Sequence, residues 1–231
     1  MSGIGRSGKE SHISHKAHVF RASAICIFQI AFLILFACEP PEEIPDVKVT
    51  FALTSDIHLL NEDAADNFRE ACSSMASLED LDFIVTTGDI IDPDLARTII
   101  SETFGSDLPW YPVVGNHDFE TADPIEWIRE ANAEGNSLPS VVNPGPPGGT
   151  ETTYSFEYAG THFVVLNIYY DETGDTATTG DISTALYDWL IQDLETYASG
   201  PVFVFGHEPA YPLPDEESGR IRHEFDSLNA Y

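Results

Sequence analysis

Basic residues are scarce in this chain. Ten lysines and arginines stand against 39 aspartates and glutamates among 231 residues, and the formal net charge is −29. From residue 39 onward the imbalance is larger, with 38 acids and six bases. Contacts to nucleic-acid phosphates require Lys and Arg, so this composition argues against a nucleic-acid-binding surface. The high negative charge favours solubility and opposes compaction.

Cysteine is also rare, with three in the chain. Two of them, Cys26 and Cys38, lie in the first 38 residues, so Cys72 is alone in the remainder and no disulfide can form there. Cys72 lies among apolar residues at helical spacing, which predicts a core position. The chain is 42% apolar and 11% aromatic, which is enough to bury a core in one large domain or two small ones.

One long apolar run stands out, at residues 22–38 (ASAICIFQIAFLILFAC), and it carries no charged residue. Basic residues precede it, and a positive segment followed by an apolar run is typical of a secretory signal. The run has 17 residues, near the lower limit for a membrane-spanning helix. Its end, Leu35-Phe36-Ala37-Cys38, resembles a bacterial lipobox, which implies cleavage before Cys38 and lipidation of that cysteine. An uncleaved membrane anchor and an ordinary cleaved signal are the alternatives.

The N-terminal segment determines the expected localisation. Residues 1–38 are predicted to be a signal peptide or membrane anchor with a lipobox. Residues 39–46 are acidic and Pro-rich, which is typical of an extended tether. Residues 47–231 are the predicted globular domain. The N-terminal segment is expected to place this domain outside the cytoplasm and attached to a membrane, as a periplasmic or cell-surface lipoprotein.

The globular part alternates strand and helix patterns. Period-two alternation or short apolar runs predict strands, and apolar residues on one helical face predict helices. The predicted strands are residues 47–55, 82–87, 110–114, 152–158, 161–168 and 202–205. The predicted helices are residues 61–77, 93–104, 125–133 and 184–197, and residues 134–150 are predicted to be a loop. This order predicts an α/β fold with a mixed sheet or two packed sheets.

Four of the apolar strands end in polar residues of similar chemistry. Ligands in open α/β sheets collect at the carboxyl ends of strands, and parallel strands bring those ends to one edge. Oxygen and imidazole ligands without thiolates suit Mn, Fe, Zn or Mg. The sequence therefore predicts a site where these strand-end residues converge: Asp56, His58, Asp89, Asn116, His117 and His207.

Each of these residues also has a simpler interpretation. Asp56 could cap the segment that follows it, Asp89 and Asp92 could belong to a turn, and His207 could be an ordinary loop histidine. Their recurrence at four strand ends favours the common site. His162 lies in a predicted strand beside polar residues, and we predict a structural role for it.

The motifs at these strand ends resemble those of the calcineurin-like metallophosphoesterases, in the same order over residues 47–210. The motifs are Asp56-x-His58, Gly88-Asp89 with Asp92, Gly115-Asn116-His117-Asp118, and Gly206-His207. The resemblance implies a two-sheet mixed β sandwich flanked by helices in four layers. It also implies hydrolysis of small phosphate mono- or diesters with two divalent or trivalent metal ions.

The resemblance further implies a role for each motif residue. The implied ligands of one metal are Asp56, His58 and Asp89. Asp89 would bridge to the second metal, whose other implied ligands are Asn116 and His207. His117 would lie beside the leaving-group oxygen, oriented by Asp118, and Gly115 would give the backbone room. Two metals about 3.5–4 Å apart can clamp a phosphoryl group and activate a bridging hydroxide. His117, if protonated, could act as the general acid.

One motif of the family is missing from these 231 residues. The family ends its site with Gly-His-x-His, in which both histidines are ligands, and the chain contains no such motif. We therefore expect a domain that is incomplete at its C-terminus, with each metal one ligand short and with low activity. The loop at residues 134–150 and the stretch 208–219 are expected to flank the pocket.

Two other functions compete with the hydrolase. The first is a non-catalytic lipoprotein that binds phosphate ligands on the same scaffold. The second is an acidic surface protein that binds cations through clusters such as Glu62, Asp63 and Asp66, although charge runs of this kind are usually a solvated helix face.

Overall fold

The computed structural model describes residues 48–78, 80–170, 180 and 182–208. The predicted signal at residues 1–38, the tether at 39–46 and most of the predicted flanking stretch 208–219 lie outside the described residues. The chain divides into two compact units, Met1–Asp46 and Val47–Tyr231, and every described residue belongs to the second. Within the described residues, each helix is too short or too polar to cross a membrane.

The first sheet has three parallel strands in the order β1-β2-β3, with β1 at Phe51–Thr54, β2 at Phe83–Thr87 and β3 at Trp110–Val113. Helix α1 (Glu62–Met75) connects β1 to β2, and helix α2 (Pro93–Phe104) connects β2 to β3. Parallel strands need such crossover connections. Thr54 is level with Thr86, and Thr87 is level with Val113, so the three carboxyl ends lie together.

The second sheet has four strands in the order β4-β5-β6-β7. Their bounds are Val141–Pro144, Tyr154–Tyr158, Thr161–Val165 and Val202–Phe205. Strand β5 pairs antiparallel with both β4 and β6. Strands β6 and β7 are parallel and are joined through helix α4 (Thr184–Tyr197). Helix α3 (Asp123–Ala131) follows β3. His207, just after β7, lies 2.8 Å from the carbonyl oxygen of Thr87 through Nδ1, so the carboxyl end of β7 lies beside that of β2.

Capping side chains explain where the helices begin. Asn61 Oδ1 accepts from the backbone N–H of Ala64 at 3.0 Å, and Asp92 Oδ1 accepts from that of Leu95 at 2.9 Å. These bonds satisfy donors that the first turn of a helix leaves free. Helices 93–104 and 184–197 are confirmed at the predicted bounds. Asp92 therefore acts as the N-cap of α2, whereas the simpler sequence interpretation makes it part of a turn.

The core consists of three apolar clusters that separate four layers. Between the two sheets lie mainly aromatic residues, and Tyr111 stacks on Phe156 with ring centroids 3.8 Å apart. Helices α1 and α2 cover the outer face of the first sheet, where Cys72 is buried as predicted and burial raises its pKa to about 11. Helices α3 and α4 pack against the second sheet. The predicted α/β fold with two sheets flanked by helices is confirmed.

The structure differs from the sequence prediction at residues 134–150. This segment contains strand β4 and a short 3₁₀ helix at Ala133–Gly135, whereas the sequence predicts only a loop. Strand β4 is an edge strand that pairs with β5 through an irregular register between Val141 and Asn143. Edge strands tolerate proline, so Pro144 can end β4. Pairing with β5, rather than local composition, makes this segment a strand.

Candidate metal centre

The polar residues at the four strand ends converge in the structure. Backbone hydrogen bonds continue from the ends of β1 and β2 into the loops that follow. Asp56 N donates to Gly88 O at 3.1 Å, and His58 N donates to Asp89 O at 2.9 Å. These bonds place the loop after β1 directly beside the loop after β2. The side chains of Asp56, His58 and Asp89 therefore emerge at one place.

Three of the site residues adopt a backbone conformation that side chains rarely take. Asp56, His58 and Asp89 have φ angles of 53°, 41° and 54°. Positive φ is uncommon outside glycine because Cβ crowds the backbone, although aspartate and histidine tolerate it better than most residues. Such strain persists only where surrounding contacts enforce it, and it concentrates at functional sites.

Asp89 lies at the centre of the cluster and is almost fully buried. Its Oδ2 is 3.5 Å from His58 Nε2 and 3.4 Å from His207 Nε2. Its Oδ1 accepts a hydrogen bond from the backbone N–H of His117 at 2.9 Å. One potential ligand atom each from Asp56, Asp89 and His207 lie within 4.8 Å of one another. One carboxylate thus faces two imidazoles from different strand ends.

The orientation of His207 tests whether this cluster suits a metal ion. Its Nδ1 is 2.8 Å from the carbonyl oxygen of Thr87, and because a carbonyl only accepts, Nδ1 carries the proton. In the neutral ring, Nε2 then presents a lone pair towards Asn116 Oδ1 at 3.1 Å and Asp89 Oδ2 at 3.4 Å. Three electron-pair donors that face one another are satisfied by a cation between them. Fixing a histidine tautomer through its other nitrogen is also typical of metal sites.

Asp118 has a different place from the one expected. It is fully buried, and its Oδ2 accepts from the backbone N–H groups of Asp89 (3.0 Å) and Gly115 (2.9 Å). Its Oδ1 accepts from those of Ile90 and Ile91, each at 2.8 Å. Burial raises the pKa of Asp118, whereas these backbone bonds lower it. Asp118 therefore fastens the loop after β2 to the loop after β3, and the expected contact with His117 is replaced by these bonds.

Glu120 is the residue that contacts the His117 ring, although no motif in the sequence singles it out. His117 Nδ1 is 2.6 Å from Glu120 Oε1, and this hydrogen bond raises the pKa of His117 above its ordinary value. Residues His117–Phe119 form a 3₁₀ helix, in which side chains three positions apart lie above one another. The only sequence signal is therefore an acid three positions after the histidine, which has no meaning until the 3₁₀ turn is known.

Two glycines allow the loops to approach one another. A Cβ atom on Gly88 would collide with the His207 ring and would lie 2.8 Å from Gly115 Cα. A Cβ on Gly115 would collide with the backbone nitrogen and the carboxylate of Asp89. The prediction that Gly115 gives the backbone room is confirmed.

Tyr169 and Glu208, which follow β6 and β7 along the chain, support the site. The Tyr169 hydroxyl donates to Glu208 Oε1 at 2.9 Å, and the Tyr169 ring lies 6.4 Å from the ring of His207 between centroids. Tyr169 is fully buried. The residue that follows His207 is therefore tied to a rigid buried side chain.

The alternative cation-binding cluster on α1 is already neutralised in part. Arg69 Nη1 lies 2.9 Å from Glu62 Oε1 and 2.8 Å from Asp66 Oδ1. These carboxylates are exposed and pair with a cationic side chain, as expected for the solvated face of a helix. The strand-end cluster is the better candidate for a metal site.

Comparison with known protein families supports this assignment. A family model described as calcineurin-like phosphoesterase matches residues 49–229, which is more than half of the chain. The matched region contains all of the site residues between Asp56 and His207. A search of curated proteins found no match.

Proposed function

The chain belongs to the calcineurin-like phosphoesterase family, and from this membership and the geometry of the site we propose that it hydrolyses small phosphate mono- or diesters with two bound metal ions. The observation that carries the proposal is the position of Asp89, whose Oδ2 faces both His58 Nε2 and His207 Nε2. A carboxylate shared between two imidazoles from separate strands is suited to bridge two cations.

The proposed ligands divide into two sets around Asp89. Asp56 and His58, from the loop after β1, would hold the first ion together with Asp89, and Asn116 and His207 would hold the second together with Asp89. Oxygen and imidazole donors without thiolate suit Mn, Fe, Zn or Mg. When bound, the ions supply Lewis acidity that lowers the pKa of a water molecule and offsets the charge of the phosphoryl group.

The protein's own residues position the substrate and move a proton. His117 lies at the edge of the cluster, with its ring centroid 5.2 Å from that of His58. Nδ1 of His117 is engaged by Glu120, so Nε2 is the nitrogen that faces the substrate. In the proposed reaction Nε2 donates its proton to the departing oxygen, the role of a general acid. Asp118 keeps the loops of Asp89 and His117 in register.

We further propose, from the sequence pattern of residues 1–38, that this activity lies outside the cytoplasm on a membrane-attached protein. The apolar run and the lipobox-like Leu35-Phe36-Ala37-Cys38 support this localisation. The acidic composition supports a small phosphate ester rather than a nucleic acid as substrate.

The proposed function is tested by the substitution Asp89→Asn. We expect the full chain to hydrolyse p-nitrophenyl phosphate or bis(p-nitrophenyl) phosphate slowly when Mn²⁺ or Zn²⁺ is supplied, because the family's Gly-His-x-His ligands are missing from these residues. Outer partners of metal ligands are worth about 10–100-fold in activity, so loss of the shared ligand should cost at least about a hundredfold. Bound metal, measured by elemental analysis, should fall in parallel.

Asp63→Asn is the matched control because Asp63 is an exposed carboxylate in the first turn of α1. It should retain both metal and activity. If Asp89→Asn keeps its metal content and rate, the proposal is wrong. If the wild-type chain binds inorganic phosphate in the presence of metal but turns over neither ester, the non-catalytic phosphate-binding alternative is correct.

A further inference from the structure

We propose that Glu120 positions His117 for proton transfer to the leaving group. This role rests on the phosphoesterase function proposed above, and it replaces the role that the sequence analysis expected of Asp118. Glu120 does not touch the reacting atoms, so it is a positioning residue that acts through His117.

The local backbone creates the contact between the two side chains. Asn116, His117 and Asp118 follow β3 and turn into the 3₁₀ helix, and the backbone N–H of Glu120 donates to His117 O at 3.2 Å. With three residues per turn, positions 117 and 120 are stacked on the same side. Position 118 points elsewhere and is buried. The turn thus presents one carboxylate to the imidazole and directs the other into the protein.

Three carboxylates of the family-like motifs, Asp118, Asp92 and Asp89, contact groups other than the His117 ring. Asp118 accepts four backbone N–H groups from two loops. Asp92 caps helix α2 through the N–H of Leu95. Asp89 faces the two imidazoles of the metal cluster. Glu120 is therefore the carboxylate that the described contacts assign to His117, at an Nδ1–Oε1 distance of 2.6 Å.

The contact selects which nitrogen of His117 reaches the substrate. A carboxylate accepts, so the Nδ1 proton of His117 stays in the hydrogen bond to Glu120, and Nε2 carries the transferable proton. As the oxygen of the attacking water bonds to phosphorus, the P–O bond to the leaving group breaks. The electron pair of that bond stays on the departing oxygen, which takes the Nε2 proton. His117 is left neutral, with Nδ1–H still bonded to Glu120. On the other side, the edge-on contact with the His58 ring restricts rotation of His117.

His117 and Glu120 are both exposed to solvent, so their contact can affect the reaction without stabilising the fold. The side chain of Glu120 is 64% exposed and that of His117 is 42% exposed. Ion pairs at such positions contribute little to stability because water and salt screen them. Loss of Glu120 should therefore affect the reaction while leaving the folded state and the metal cluster intact.

The leaving group provides the first test. An aliphatic alkoxide needs a proton to depart, whereas p-nitrophenolate does not. For Glu120→Ala we expect kcat with glycerol 2-phosphate to fall about 10–100-fold, and kcat with p-nitrophenyl phosphate to change less than about threefold. KM and the bound metal content should be unchanged. Glu120→Asp, which keeps a shorter carboxylate, should recover part of the lost rate.

Glu126→Gln is the matched control for charge. Glu126 is exposed and lines the same surface groove of about 860 Å³ as Glu120, so its loss changes the local field without touching His117. The control should preserve the ratio of the two rates. If Glu120→Ala lowers both rates equally, or if Glu126→Gln changes the ratio as much, the positioning role is wrong.

A spectroscopic readout tests the contact even if neither ester is hydrolysed. In ¹⁵N–¹H spectra of the full chain recorded at a pH where the His117 ring is neutral, His117 should show Nδ1 protonated in the wild type, and Glu120→Ala should shift it towards the Nε2–H tautomer. His207 is an internal reference because Thr87 O fixes its Nδ1–H. An unchanged His117 signal in Glu120→Ala overturns the inference. A changed signal without turnover by the wild type supports the positioning contact and refutes only the proposed hydrolysis.

Discussion

At the scale of single residues, the candidate site depends on backbone positions that few side chains can occupy. Asp56, His58 and Asp89 have positive φ angles, and the neighbouring glycines permit contacts that any Cβ would prevent. The cost of these conformations is about 1–3 kcal/mol each. It is offset by the hydrogen bonds that Asp118 accepts from the loops. The strain and its support thus lie within one small group of residues.

Replacement of Gly115 should damage the site more than the fold. In Gly115→Ala the new Cβ meets the backbone nitrogen and carboxylate of Asp89, neither of which can move freely. We expect the free energy of unfolding to fall by about 1–3 kcal/mol and the metal affinity to fall at least about tenfold. Chemical denaturation and metal titration measure the two effects.

Gly206→Ala is the control for this prediction. A Cβ at Gly206 meets only the Ile168 side chain at 3.7 Å, an ordinary contact distance. Its stability should stay within about 0.5 kcal/mol of the wild type. Equal metal affinity in Gly115→Ala and wild type would contradict the prediction. It would show that the loop after β2 moves to accommodate the new methyl group.

At the scale of secondary-structure elements, a buried polar network fastens helix α4 to the second sheet. Asp193 on α4 accepts from Asn143 on β4 at 2.8 Å and from Ser155 on β5 at 2.6 Å, and it lies 2.7 Å from His162 Nε2 on β6. Glu157 takes the other nitrogen of His162, Nδ1, at 2.7 Å. His162 is 1% exposed, so its predicted structural role is confirmed.

The protonation state of His162 makes this network sensitive to pH. Burial lowers the pKa of His162, but the hydrogen bonds to Asp193 and Glu157 outweigh it, and the pKa is raised overall. A histidine whose pKa is raised on folding stabilises the folded state. This contribution is fully present at pH values below the unfolded pKa of about 6.5. That contribution is lost as pH rises through the folded pKa. The network should therefore be strongest in mildly acidic solution.

The substitution Asp193→Asn should reveal this dependence. Removal of one partner from a buried ion pair costs about 3–5 kcal/mol, so the unfolding free energy should fall by about that amount near pH 6. The difference from the wild type should shrink as the pH rises through the folded pKa of His162, because the imidazole then loses its charge. Urea denaturation at several pH values measures it.

Glu195→Gln is the matched control because Glu195 is an exposed acid two positions further along α4. Its effect should be under about 0.5 kcal/mol and independent of pH. A difference between Asp193→Asn and wild type that is constant, or that grows as pH rises, contradicts the assignment of a protonated His162.

At the scale of the whole molecule, the acidic composition determines which ligands the protein repels. A chain with a net charge of −29 repels anions as well as nucleic acids. Bound cations are the largest local charges in such a site and can offset the carboxylates around them. An acidic protein can thus accept an anionic ester at a metal centre.

The proposed attachment through Cys38 predicts a lipid-dependent membrane location. Each buried CH₂ of an acyl chain contributes about 0.8 kcal/mol to membrane binding. In bacterial cells expressing the full chain, Cys38→Ser should abolish incorporation of labelled palmitate. The measurement is the labelled band together with the partition of the protein between membrane and soluble fractions.

Cys26→Ser is the matched control, since Cys26 lies in the same apolar run. It should keep the label. Palmitate incorporation that survives Cys38→Ser rules out the lipobox interpretation. A wild-type protein that stays in the membrane fraction without any label indicates the uncleaved anchor instead.

Local features of the sequence were sufficient to predict most elements and the convergence of the strand-end residues around Asp89. Helix starts could be predicted because caps such as Asn61 and Asp92 bond to backbone groups only three residues away. The approach of Asp89 to His207 could be predicted because both residues follow apolar strands. Parallel strands bring such carboxyl ends to one edge. Alternation and apolar runs are properties of neighbouring residues, so they can be read without knowing the fold.

Tertiary structure alone decided strand β4 and the division of roles between Asp118 and Glu120. The segment Val141–Pro144 becomes a strand because β5 pairs with it, and pairing between distant segments leaves little trace in local composition. Asp118 adjoins His117 in sequence, yet the 3₁₀ turn directs it towards four backbone N–H groups and places Glu120 against the imidazole. The direction of a side chain depends on backbone angles that contacts between loops impose. The sequence by itself therefore predicted which strand-end residues lie together, and only the folded chain brought Glu120 to His117 and turned Asp118 away from it.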